Sequence, residues 1–138
     1  MWLDGVSVCV ADTKTENYTV DASKLIRTCK QFSQLHVILL SPRFGPLGGM
    51  SISDLAGRVK LPVIAISKVR KSLRRVNRRS DSFDISIAGK HVTVSTVGVE
   101  RKGAESLYRI GCSPYGIVPE AVRVADLLAE ELDRAFPK

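Results

Sequence analysis

Seven cations crowd into twelve positions of this sequence: Lys68, Arg70, Lys71, Arg74, Arg75, Arg78 and Arg79, with no acid among them. Like charges at that density repel one another, and an anion relieves the strain, so phosphate is the ligand such a run suits. Affinity from this source falls steeply with salt. No aromatic residue lies between Ser67 and Phe83, which favours contact with the backbone of DNA or RNA over base stacking. The competing reading is a solvated helix face or a mobile loop. A second candidate chemistry is metal-assisted. Asp12, Asp21 and Asp54 could serve as ligands, but the favoured reading is a turn aspartate and two helix caps. Gly45, Gly48 and Gly49 precede a helix start, where free N–H groups can hold an anion. No Gly-Lys-Ser/Thr follows, so the loop is not a P-loop, and a structural role is its alternative. Glu120 and Arg123 either line a pocket beside that loop or form a dipole-complementing acid and a surface base. His36 and His91 are far apart, and Cys9, Cys29 and Cys112 show neither ligand spacing nor a nucleophile pattern.

Positioning these residues requires a definite order of elements. Gly5 to Ala11 alternates and is β-branched, which predicts a strand ending at Asp12. A helix is expected to open at Asp21, as its N-cap, and run to about Phe32 with Leu25, Ile26 and Cys29 inward. The apolar run His36 to Leu40 predicts a strand covered on both faces. Ser41 to Gly49 must be a loop. Ser51 caps a short helix with Asp54 three residues on, and Val63 to Ser67 forms the next buried strand. This alternation of strands and helices implies parallel crossovers. In the basic segment, Val69, Leu73 and Val76 form one apolar stripe of a helix. Phe83 to Val97 predicts a hairpin around Ala88-Gly89-Lys90. A short helix is expected over 104–110, then a loop over 111–118. A final helix has Pro119 at its first position, with Ala121, Val124, Ala125, Leu128, Leu132, Ala135 and Phe136 on one face and Asp126, Glu130 and Asp133 opposite.

Composition bounds the rest. At 138 residues the chain is one domain, 1–138, and its 44% apolar and 25% charged residues are those of a globular protein. With 6% aromatic residues the core must be mainly aliphatic. The net charge of +7 belongs to one segment. Residues 1–67 carry seven bases against five acids, and residues 81–138 carry seven bases against nine acids. No apolar run is long enough for a membrane span, and the first residues lack the pattern of a secretory signal. Unpaired cysteines among apolar residues fit a reducing, cytoplasmic setting.

The order of motifs resembles an archaeal family of uncharacterised proteins related to endonuclease V, which has the ribonuclease H-like fold. The resemblance rests on Leu3-Asp4-Gly5-Val6 with Asp21-Ala22, and on Val37 through Gly48-Gly49 and Asp54 to Leu61-Pro62-Val63-Ile64. Val92 to Val99 adds to it. Its most specific piece is Ile117-Val118-Pro119-Glu120-Ala121-Val122-Arg123-Val124-Ala125, similar to the family's Pro-Glu-Pro-Leu-Arg-x-Ala helix start. The resemblance implies a mixed α/β sheet flanked by helices and, for an active member, a divalent metal such as magnesium held by carboxylates. This sequence departs from the pattern where those carboxylates fall. Met1 stands about where the family's second strand begins, so the first strand and its acid are expected to be absent and the fold truncated. Ser41-Pro42 replaces Asp-Gly, and Asp126 follows Ala125 in an altered motif. Losing two carboxylates is severe for an octahedral oxygen site.

The expectation is therefore an endonuclease V-like domain, catalytically degenerate, that binds nucleic acid through residues 68–79. The alternatives are a metal-dependent endonuclease with a rearranged carboxylate set, or an interaction module. A sheet missing its central strand exposes edges, which would favour a homo-oligomer.

Overall fold

Val63-Ile64-Ala65-Ile66 is apolar at four consecutive positions, and the computed structural model shows why: none of the four has any exposed surface. They belong to β2 (Val63–Arg70), an inner strand of a mixed four-stranded sheet ordered β1-β2-β4-β3. The structure describes residues 18–43, 50–70, 82–113 and 116–135. Successive strand side chains point to opposite faces. Val63 and Ala65 enter one core cluster, with α1 (Tyr18–Thr28) and α2 (Ile52–Val59). Ile64 and Ile66 enter the other, with α3 (Arg101–Gly111) and α4 (Glu120–Ala135). The result is three layers, helices on both faces of a sheet.

β1 (Ile38–Leu40) pairs with β2 in parallel, Ile38 opposite Val63, so β1-α2-β2 is the crossover the sequence predicts. The rest of the sheet is antiparallel. β2 pairs with β4 (Lys90–Val97), and β4 with β3 (Ser82–Ile87). The hairpin turns at Ala88 and Gly89, whose φ angles of 50° and 76° are the positive pair a two-residue type I′ turn requires. Gly98 closes β4 with φ 81°, and a Cβ there would lie 3.3 Å from the Pro62 Cα.

Several boundaries differ from the sequence reading. α1 begins at Tyr18, so Asp21 lies within its first turn and is not its cap. The helix stops at Thr28, and Phe32–Gln34 is a separate 3-10 turn. β2 continues through Arg70, which pairs with His91 across a register shift between Ile66 and Lys68. Val69 is therefore in a strand, and no helix starts there; β4 offers a paired edge that outweighs the i, i+4, i+7 spacing. Leu73 and Val76 lie outside the described residues, as do the strand expected over 5–11 and the glycine loop expected at 44–49. The Pro119 carbonyl accepts from the N–H groups of Val122 and Arg123 at 3.0 Å each, placing Pro119 one position before the first helical residue. On α4 the buried residue is Val122, whereas Ala125, Leu128, Leu132 and Ala135 are exposed. Among the described residues no helix is long and apolar enough to cross a membrane.

Candidate functional site

Ser51 does what its position predicts: its hydroxyl accepts from the Asp54 N–H at 3.3 Å. The Asp54 carboxylate in turn accepts from Arg58 Nε at 3.0 Å, an i, i+4 pair on the exposed side of α2. Both halves of Asp54 thus serve the helix. Asp21 sits in the first turn of α1, where a carboxylate complements the helix dipole. Asp12 lies outside the described residues. Among the described residues, no three His, Cys, Asp or Glu side chains are grouped so as to hold a metal ion. A magnesium ion needs several oxygen ligands in near-octahedral array, so the described residues do not fit one.

Glu120 and Arg123 pair with each other across one turn of α4, with Arg123 Nε donating to Glu120 Oε2 at 2.9 Å. That hydrogen bond holds the Glu120 carboxyl below its usual range. Neither residue lines the groove beside β1, and the glycine loop beside which the sequence reading placed them lies outside the described residues. His91 is likewise engaged locally, its Nδ1 3.0 Å from Ser86 Oγ.

The cavity lies elsewhere. A groove of about 450 Å³ runs along the edge of β1 that β2 leaves open, and its walls come from three elements. Tyr18, Ala22, Leu25 and Ile26 of α1 form one wall; Ala121, Val122 and Ala125 of α4 form the other. The floor is Val37, Leu39 and Leu40. Two polar groups break this apolar lining. The Ser41 hydroxyl and the Asp126 Oδ1 are buried and have no hydrogen-bond partner among the described residues. Ser41 follows the C-terminal end of β1 and is 5% exposed. Arg43, two residues later, reaches Glu130 at 3.4 Å and Asp133 at 3.5 Å, holding the far half of α4 over this end of the sheet.

The sequence reading named both positions only as departures from the family pattern and did not bring them together as a site. It put Asp126 on the polar side of α4, opposite an inner face of Ala121, Val124, Ala125, Leu128, Leu132, Ala135 and Phe136. Once Val122 is the buried residue, Asp126 falls one turn along on the same face. That spacing was visible in the sequence; the choice of inner face concealed it.

Of the basic segment, Lys68 and Arg70 lie on β2, and Lys71, Arg74, Arg75, Arg78 and Arg79 lie outside the described residues. The anchors on either side are clear. β2 ends beside His91 and β3 begins beside Ser95, at opposite ends of β4. The body of the domain balances much of its own charge. Arg43, Arg58, Arg109, Arg123 and Arg134 all pair with carboxylates on the described surface.

No protein-family model matches the sequence, and no curated protein does. The fold is similar to that of a protein of unknown function from Archaeoglobus fulgidus DSM 4304. The two structures superpose with a TM-score of 0.65 at 21% identity, over 88% of this chain and 78% of that one. At that identity the likeness extends to the fold alone.

Proposed function

We propose that the protein binds nucleic acid through residues 68–79 and is a catalytically degenerate relative of the archaeal endonuclease V-related family. The observation carrying the first part is the placement of charge: the basic run holds seven cations and no acid, while five arginines elsewhere are matched by carboxylates. A duplex presents one negative charge per roughly 1.7 Å of its axis, and binding through cations releases condensed counterions. The net attraction of this domain for a polyanion thus resides in one stretch. The family reading is supported by the order strand, helix, buried strand over 38–66 and by the helix opening after Pro119. Degeneracy is supported by Ser41 standing where the family pattern has an acid, and by the ion pair that occupies Asp54.

The test is fluorescence anisotropy with labelled duplex DNA, single-stranded DNA and RNA across a salt series. Binding should weaken steeply with salt and be lost when Arg74, Arg75, Arg78 and Arg79 are replaced together by Ala. Unchanged binding in that variant would overturn the assignment. Incubating the same substrates with magnesium should give no cleavage product; a product abolished by Asp126→Ala would overturn degeneracy and make Asp126 catalytic.

A further inference from the structure

One end of the sheet gathers basic chemistry from three strands and a helix. Ile87 and Lys90 flank the two-residue turn, so they form the hydrogen-bonded pair that closes the hairpin. Ser86 and His91, the next pair, are then of the non-hydrogen-bonded kind. Such a pair brings its side chains close together and turns the Ser86 backbone groups away from β4. Both consequences are met. Ser86 Oγ lies 3.0 Å from His91 Nδ1, and the Ser86 carbonyl accepts from Arg109 Nη2 at 2.8 Å. Glu105 holds the same guanidinium at 3.0 Å. So α3 fixes the backbone at the hairpin end, and Ser86 fixes the imidazole. Across the other side of β4, His91 stands opposite Arg70, the last residue of β2 and the second cation of the basic run.

We infer that Lys90 and His91 form a phosphate-contacting site on the hairpin end, for the backbone of the same nucleic acid. The inference rests on the binding reading above and extends its contacts to residues that the sequence places well outside 68–79. The first argument is position. Strands in a sheet are about 4.8 Å apart, and a duplex carries one charge per roughly 1.7 Å of its axis. A backbone that meets the chain where β2 ends at Arg70 therefore has further phosphates within the width of one strand, at His91 and Lys90.

The second argument is chemistry. Lys90 supplies a full ammonium. When the Ser86 hydroxyl donates to His91 Nδ1, the ring hydrogen sits on Nε2, which can donate to a phosphate oxygen. The third is the state of the neighbouring acids. Glu105 is engaged by Arg109, and Asp84 accepts from Thr93 Oγ1 at 2.7 Å. The fourth is the strand on which the lysine falls. Lysines on edge strands guard against unwanted pairing, but β4 lies between β2 and β3, so that duty does not account for Lys90.

Anisotropy with labelled duplex DNA across a salt series tests the inference. Lys90→Ala should flatten the salt slope by about 0.9, the value for one phosphate. Lys102→Ala removes the same charge from the first turn of α3. Arg101, 5.0 Å over the Phe83 ring, places that turn at the other end of β3, so this variant should leave the slope unchanged. A second readout uses the unmodified protein: the amide signals of Lys90 and His91 and the His91 ring signals should shift in NMR spectra as the same duplex is added. A Lys90→Ala slope equal to that of the unmodified protein would overturn the inference, as would signals of 90 and 91 that stay fixed while DNA binds. Either result, with binding still lost on replacing Arg74, Arg75, Arg78 and Arg79, removes this site alone. An unmodified protein that does not bind DNA removes the binding reading and this site together.

Discussion

Tyr108 is, among the described residues, the largest side chain with no exposed surface. Its hydroxyl donates to the Ile117 carbonyl at 2.7 Å, fixing α3 to the turn that launches α4. Burial pushes this phenol well above its ordinary range. The folded state therefore holds the proton more tightly than the unfolded chain does. Its contribution to stability is complete below the unfolded value of about 10 and is lost as pH rises beyond it. Chemical denaturation from pH 8 to 11 should show stability falling above about pH 10, and Tyr108→Phe should flatten that fall. At pH 8 the same variant should cost about 1 kcal/mol for the hydrogen bond removed. The site was only partly legible at this scale. Ser51 and Asp54 could be read because a cap is local, three residues wide. Ser41 and Asp126 are 85 positions apart, and only the packing of α4 over the end of β1 brings both into one groove.

Elements were most legible where local chemistry and burial agreed. The buried run at 63–66, the helix capped by Ser51 and the hairpin at Ala88-Gly89 all fall where their residues point. The helical reading at Val69 failed because spacing is a property of the segment, whereas a strand is a property of its neighbour. β4 was there to be paired. The inner face of α4 was misread for a related reason. Its apolar residues outnumber the positions the described sheet covers, so hydrophobicity alone could not choose among them. The hairpin offers a direct test of local strain. Ala88 holds φ 50°, a region that costs a residue with a Cβ about 1 kcal/mol and that Asn tolerates. Ala88→Asn makes the turn Asn-Gly, the pair that type I′ geometry favours. It should raise stability by about 0.5–1 kcal/mol in urea denaturation, with an unchanged dependence on denaturant.

The charge of the whole molecule is where sequence and structure combine. A net charge of +7 spread evenly over a domain this size would steer polyanions weakly from every side. Local pairing changes that field. Arg58, Arg109, Arg123 and Arg134 each find an acid three or four residues away, and Arg43 finds two across the fold. Cations 68–79 have no acid within their own stretch to do the same. Salt dependence measures how many of them reach phosphate. The logarithm of affinity for duplex DNA falls with the logarithm of salt at about −0.9 per phosphate neutralised. Four contacts would weaken binding roughly 150-fold between 50 and 200 mM salt. Replacing Arg74, Arg75, Arg78 and Arg79 should then flatten the slope by about 3–4 units. Arg58→Ala, which removes a cation already matched by Asp54, should leave the slope unchanged. A slope that flattened equally in both variants would mean the polyanion responds to total charge and not to the segment.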